Sequence, residues 1–295
     1  LLYNTTGSGN AAFGFNSLLS NTTGSGNAAF GFNSLLSNTT GTRNLAIGYN
    51  AYDNADTEND NLAIGYDALG GSIAGGEQNI AIGNYSLDAN TTGDNNSAVG
   101  HNALSANTTG AGNTASGAYA LYTNTTGDYN SAFGINSLKV SEGGDNNTAL
   151  GWNSLYLNTS GANNTAIGSE AGNVITTGGN NVIIGSGSDP GAVDASNQTV
   201  VGYGATGQAN NSVTLGNADV TAVYMAQDKG ATVYAAALGF GSTAMTLPTA
   251  DGSANQVLKT DGGGALSWAS NTAATSVNGL SDALIEDNSI YIGND

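Results

Sequence analysis

Apolar and polar positions recur on a fixed period through most of the chain, and the period is neither helical nor that of a plain strand. Residues 4–20 read NTTGSGNAAFGFNSLLS, and residues 21–37 repeat the same 17 letters. A glycine at the end of each apolar core keeps the register: Gly14, Gly31, Gly48, Gly65, Gly83, Gly100, Gly117, Gly134, Gly151, Gly168, Gly185 and Gly202. The spacing is 17, apart from 18 between Gly65 and Gly83, and a step of 14 leads on to Gly216. Four residues before the glycine stands Asn: Asn10, Asn27, Asn44, Asn61, Asn79, Asn96, Asn113, Asn130, Asn147, Asn164 and Asn181, then Gln198. Two before it is Ala in every coil from Ala12 to Ala166. One before it is a large apolar residue such as Phe13, Ile47, Phe133 or Ile167, with Ser116 the exception. Four after it sits Leu18, Leu35, Tyr52, Leu69, Leu87, Leu104, Leu121, Leu138 or Leu155, and a polar turn, most often Asn-Thr-Thr-Gly, separates the repeats.

These columns predict an all-β fold, a β-solenoid or β-roll of about 13 coils. Short period-2 segments alternate side chains across a strand, and Gly and Asn supply turns that need positive φ. In-register stacking places identical side chains above one another, so the Asn column is expected to act as a structural ladder along the stack. At about 4.8 Å per coil the array would be a rod of roughly 60 Å. A helical solenoid is disfavoured, because 17 residues cannot hold two helices and two turns.

The Ala column has two readings, space inside a narrow coil or contact with a neighbouring chain, and a combination of them is expected here. With few apolar positions per coil the core is thin. If Asn and Ala share one strand face, the Phe/Ile column lies on the other. Two faces in need of cover point to a parallel homotrimer, with a monomeric solenoid as the alternative.

The pattern stops after Asn217. Of the Asn residues, only Asn255, Asn271, Asn278, Asn288 and Asn294 lie beyond it. The organisation expected is a repeat array over 1–217, a β-rich non-repeat segment over 218–275, and a short linker over 276–295. A short helix is expected at Val277–Leu284, with Ser281 as its N-cap. Ser289–Asn294 reads as a strand that opens a further array. Leu1 already lies inside the register without a preceding Met, from which the loss of an N-terminal part by processing or truncation is expected.

Composition narrows the function. Gly contributes 45 residues, Pro 2, and charged residues only 9%, against about 25% in ordinary domains. Four Lys+Arg against 22 Asp+Glu give a net charge of −18, which disfavours nucleic-acid binding. The absence of Cys excludes disulfides, thiolate metal sites and cysteine catalysis, and the single His101 cannot build a zinc site alone. No apolar run has the length that membrane insertion requires.

Sites of chemistry are sparse. No nucleophile elbow, P-loop, Rossmann fingerprint or HExxH occurs, and Gly143-Gly144 and Gly262-Gly263-Gly264 read as turns. Asp53, Asp56, Glu58 and Asp60 form the densest acidic group; calcium is one reading and a solvated turn the preferred one. Asp67 and Glu170 are too far apart along the array to act as a glycosidase pair. The chain is therefore read as no enzyme, with no metal and no cofactor. The position after the repeat glycine carries Phe15, Phe32, Tyr49, Tyr66, His101, Trp152 and Tyr203. Tyr49, Tyr66 and Trp152 are candidate glycan-stacking residues, with packing between coils or protomers as the competing reading. The N-x-[ST] matches at Asn4, Asn21, Asn38, Asn90, Asn107, Asn124 and Asn158 fall in the turn column and are read as turn residues. Their paired Thr lie beside Gly in a turn, which disfavours an ice-binding face.

The N-x-A-[IVF]-G columns resemble the head repeats of trimeric autotransporter adhesins, whose chains wind three left-handed β-rolls about one axis. The family repeat is shorter, so a 17-residue coil departs from it in cross-section. The repeats are more similar still to phage tail-fibre and structural proteins, particularly of marine cyanophages. LPTADGSANQVLKTDGGGALSW and GLSDALIEDNSIYIGND also resemble tail-fibre sequence. The resemblance implies a trimer, association with other virion or fibre proteins, a place on the virion or another extracellular surface, and no catalysis. The function expected is a rigid trimeric spacer that presents host-receptor contacts. The alternative is a bacterial extracellular adhesin-type module that binds surface glycans through its array.

Overall fold

The computed structural model describes residues 2–71 and 76–223. From 237 onward it describes 237–240, 243–246, 248, 252–254, 256–260, 263, 265–270, 283–286 and 289–292. Two compact units divide the chain, Leu1–Val223 and Tyr224–Asp295.

The first unit is a parallel β-solenoid. Thirteen strands stack in chain order in a single sheet. β1 (Ala11–Phe13), β2 (Ala28–Phe30) and each successor to β11 (Val182–Ile184) have three residues. β12 (Gln198–Val201) and β13 (Ser212–Leu215) have four. The register is the sequence repeat itself: Ala12 pairs with Ala29, Phe13 with Phe30, and Ala166 with Ile183. No residue in a strand faces a different column.

Side chains alternate as the short strands require. Asn four before the glycine and Ala two before it point inward; from the second coil Ala29 to Ala166 are fully buried. The Ala column therefore fills the interior of its own coil, and the part of the expectation that placed it against a neighbouring chain does not hold. The large apolar residue before the glycine points outward, with Leu150 46% and Ile167 37% exposed.

The repeat glycine has φ near +140° in each coil from Gly14 to Gly202. A Cβ at Gly117 would stand 2.5 Å from the carbonyl oxygen of Gly134 in the next coil, so stacking at this height admits no side chain. The Leu column is also left-handed, from Leu18 (φ 51°) to Leu155 (φ 49°), with Tyr52 at φ 53°. Such a conformation costs a non-glycine residue about 1–2 kcal/mol. Complete burial of a Leu side chain returns about 1.5–3 kcal/mol, and each of these Leu is fully buried. Burial wins, and the turn that aims Leu into the core persists.

Close packing links the Leu position to the residue three further on. Most coils combine Leu with Asn, as in Leu104 and Asn107. One coil has Tyr52 with Ala55, and another has Gly172 with Ile175; all four side chains or positions lie in the core. A larger residue at one site goes with a smaller one at the other, so the coil keeps its filling. A Cβ on Gly172 would already meet Leu155 at 3.1 Å and Ile175 at 3.4 Å. Gly172→Leu alone is expected to lower stability by about 1–3 kcal/mol through overpacking. Combined with Ile175→Asn it should recover most of that loss, as a double-mutant cycle by urea unfolding would report.

Among the described residues of the second unit there are three antiparallel hairpins. They pair β14 (Ala237–Phe240) with β15 (Thr243–Thr246), β16 (Gln256–Thr260) with β17 (Leu266–Ser270), and β18 (Ala283–Glu286) with β19 (Ser289–Ile292). Of the helix expected at Val277–Leu284, residues 277–282 lie outside the described residues. Ala283 and Leu284 stand in β18, which corrects that end of it. Ser289–Ile292 is a strand, but it pairs antiparallel with β18 rather than as a coil of a parallel array. The run ALIE/SIYI, with its β-branched and aromatic residues, suits a hairpin better than a helix.

Candidate functional site: amide ladders, an outer apolar face and an aromatic column

Two columns of buried Asn hold the coils together. In the first, four before the repeat glycine, each side chain bonds backbone of the next coil. Asn113 Oδ1 accepts the N–H of Asn130 at 2.9 Å, and Asn113 Nδ2 donates to the carbonyl of Gly127 at 2.8 Å. The same pair of bonds repeats at Asn27, Asn44, Asn79, Asn96, Asn130, Asn147 and Asn164. It also holds at Asn61 and Asn181, where Asn61 Nδ2 bonds Tyr52 Oη as well. Asn10 begins the series half-buried. The ladder thus runs mainly from side chain to backbone, with direct amide–amide bonds added at Asn147 and Asn181.

The second column is formed by the turn Asn of the N-x-[ST] matches. Asn21, Asn38, Asn90, Asn107, Asn124 and Asn158 are fully buried, where the fold leaves no room for a glycan. Here side-chain amides bond one another: Asn107 Nδ2 donates to Asn90 Oδ1, and Asn124 Nδ2 to Asn107 Oδ1, both at 2.9 Å. Each also donates to the glycine carbonyl of its own turn, as Asn107 does to Gly110 at 3.0 Å. Gly110 accepts Asn96 of the preceding coil as well, so one carbonyl joins both ladders.

This second ladder is interrupted wherever the sequence departs from Asn, and the oxygen at each break is left without a partner. Asn38 Oδ1 faces the coil with Ala55, Asn124 Oδ1 the coil with Ser141, and Asn158 Oδ1 the coil with Ile175. Ser141 Oγ is itself unpartnered. Ser141→Asn should connect Asn124 to Asn158 and stabilise the array by about 1–2 kcal/mol, measurable as a rise in the unfolding midpoint.

The acidic residues of the coil at 53–60 take separate roles. Asp60 forms a two-pronged ion pair with Arg43, both contacts 2.6 Å, and the guanidinium holds its carboxyl below the usual range. Asp56 accepts the hydroxyl of Thr39. Glu58 is 2% exposed, and its carboxylate accepts the N–H groups of Asp56 at 2.9 Å and Thr57 at 3.2 Å. It serves the turn in a coil whose ladder position is Ala55. Burial pushes the Tyr52 phenol up, with Glu58 adding to it. Among the described residues, no group of three or more His, Cys, Asp or Glu is arranged to hold a metal ion.

Asp53 is instead pushed up to about 6, first by burial and then by the charge of Asp67. Asp88 is raised by the same two causes. A carboxyl whose folded pKa exceeds its unfolded value near 3.9 holds its proton more tightly when folded, so stability is lost as pH rises between those values. The melting temperature should therefore rise as pH falls from 7 to 5. Asp53→Asn should raise it at pH 7 and flatten that slope, a change thermal scans across pH would detect.

The predicted ring column is solvent-facing and stacked on itself. Phe15, Phe32, Tyr49 and Tyr66 lie face to face at 4.9–5.4 Å with interplanar angles of 8–16°. Tyr49 is 47% exposed, yet Phe32 covers one face of its ring and Tyr66 the other. Beyond Tyr66, contacts with Tyr85, His101 and Tyr119 turn edge-on. Trp152, 49% exposed, has no ring stacked on it among the described residues. Several turn Thr hydroxyls, such as those of Thr22, Thr91 and Thr108, bond carbonyls of the next coil.

Sequence reasoning missed the inward turn Asn. Its signal was the fixed place of Asn three residues before a turn glycine, coil after coil. A concavity of about 550 Å³ at the end of the array is lined by Thr206, Gln208, Thr214, Asn217 and Asp219 among others, and brings none of the predicted residues together. No helix among the described residues is long and apolar enough to cross a membrane. No protein-family model matches the chain, and no curated protein matches it either.

Proposed function

We propose that this chain is a structural fibre protein of a phage tail or virion surface. In this reading it acts as a rigid spacer that presents host-receptor contacts, and it assembles as a parallel homotrimer with other fibre or virion proteins. The observation that carries the reading is the outer face of the parallel sheet. Along the array Phe13, Phe30, Ile47, Val99, Phe133, Leu150, Ile167 and Ile184 stand exposed in one file, beside the ring column. Parallel sheets are ordinarily covered on both faces, and a long exposed apolar file is the property of an interaction surface. Identical chains in register would cover it along its length. The charge of −18 would then limit lateral sticking between finished fibres, and threefold presentation would add avidity to weak contacts. The tail-fibre resemblance of the segments after the array favours a phage fibre.

The second reading, a bacterial extracellular adhesin-type module, draws on Trp152, whose exposed ring carries no stacked neighbour. Trp152→Ala would abolish host-glycan binding with the assembly intact if the array itself binds.

Light scattering on the purified chain should give three times 29.1 kDa. Leu150→Lys together with Ile167→Lys should reduce it to a single chain with the β-sheet circular dichroism retained. A wild-type mass of one chain would overturn the trimer.

A further inference from the structure

A compact group of side chains lies on the turn that follows the sheet, where the aromatic column ends at Tyr119. Tyr122, Lys139 and Tyr156 occupy the same position in three successive coils. Lys139 Nζ stands over two rings, 5.1 Å from the centroid of Tyr119 and 5.6 Å from that of Tyr156. Tyr122 packs edge-on against Tyr119 at 5.6 Å. Beside them Asn136 Nδ2 donates to Asn153 Oδ1 at 3.1 Å. All of these side chains are half-buried, neither sealed in the core nor free in solvent.

The charge at this place is unusual for the molecule. The chain has only four basic residues, and the array holds two of them, Arg43 and Lys139. Arg43 is neutralised by Asp60. Lys139 has no carboxylate within ion-pair distance among the described residues. An ammonium has three N–H donors, and contact with ring faces satisfies its charge in part without using a hydrogen-bond acceptor. Its donors remain available to an anion, even though the chain as a whole repels anions.

The geometry points to a binding site for a carboxylated sugar, a pyranose that bears an acid group, at Lys139 and the tyrosines around it. Tyrosine rings offer apolar faces to the C–H side of a pyranose. The Asn136 and Asn153 amides offer both donors and acceptors to hydroxyls, and Lys139 receives the carboxylate. Glu170 continues the Asn136–Asn153 column in the following coil, so the acid group is seated towards Lys139 and away from that end. A neutral sugar would leave the one unpaired cation of the array unused, and an anion without a ring would leave the tyrosines unused.

The test is calorimetric titration of the full-length chain at low salt with three carboxylated probes: a glucuronate-containing tetrasaccharide, a galacturonate tetrasaccharide and sialyllactose. Lactose and maltotetraose serve as neutral controls. At least one acidic probe should bind, with the neutral controls at least about tenfold weaker. Lys139→Gln should weaken the acidic probe about tenfold, Lys139→Arg should retain it, and Tyr156→Ala should lose it. The melting temperatures of the variants separate lost binding from lost folding. Binding by none of the acidic probes, equal binding of the neutral ones, or affinity unchanged in a folded Lys139→Gln chain would each overturn the site and leave Lys139 a packing residue.

Discussion

The array depends on one interaction, the Asn side chain that reaches from one coil to the backbone of the next. Each coil devotes only three residues to the sheet in most of the array, and backbone bonds of the turns, such as Leu104 N–H to the Ala120 carbonyl at 3.0 Å, continue the coil-to-coil pairing around them. Asn supplies a donor and an acceptor on one short, planar group, matched to the N–H and C=O that the turn leaves inside. Those backbone groups are buried, and a buried polar group without a partner costs about 1–3 kcal/mol. The amide satisfies two per coil and fixes the stacking height. Gly follows from that height: at Gly110 a Cβ would stand 2.5 Å from the carbonyl oxygen of Gly127.

Once the height is fixed, other columns have little choice. Ala fills the space beside Asn as far as Ala166, and Ile183 and Val200 take the same place in the coils that follow. Leu must turn through a left-handed conformation to fill what remains. The trade of Leu–Asn for Tyr52–Ala55 and Gly172–Ile175 keeps those two coils filled with different residues, whereas Leu138–Ser141 leaves Asn124 Oδ1 without a partner. Rings outside are drawn into register by the same spacing, so Phe32, Tyr49 and Tyr66 stack on one another and hide the faces that sequence alone offers to a ligand. The outward apolar file is what the interior leaves over, and it is the surface on which the proposed assembly rests.

Much of this was legible from the period. A 17-residue repeat with Asn, Ala and Gly in fixed columns leads to a parallel stack, because only in-register coils make such columns useful. The Leu turn was not legible, since Leu ordinarily avoids positive φ and only its burial reverses that preference. The burial of the turn Asn was not legible, because Asn-Thr-Thr-Gly has the composition of any exposed turn. Ring stacking depends on side-chain directions that column identity does not contain. The residues around Lys139 come together across coils at two different repeat positions, and a reading of one column at a time separates them. At Ala283 and Leu284, helix start signals lost to strand pairing with the Ser289–Ile292 segment.

The most direct measurement of the central claim is native-state hydrogen exchange on Asn113→Ala beside the unaltered chain. The amide of Asn130 loses its acceptor, and the carbonyl of Gly127 loses one of its two donors, keeping Asn124 Nδ2 at 3.0 Å. A loss of about 2–4 kcal/mol in stability is expected, with the exchange of Asn130 accelerated more than that of residues one coil further away. A loss no larger than a surface substitution gives, with exchange at Asn130 unchanged, would contradict that claim and leave backbone pairing and core packing to hold the coils.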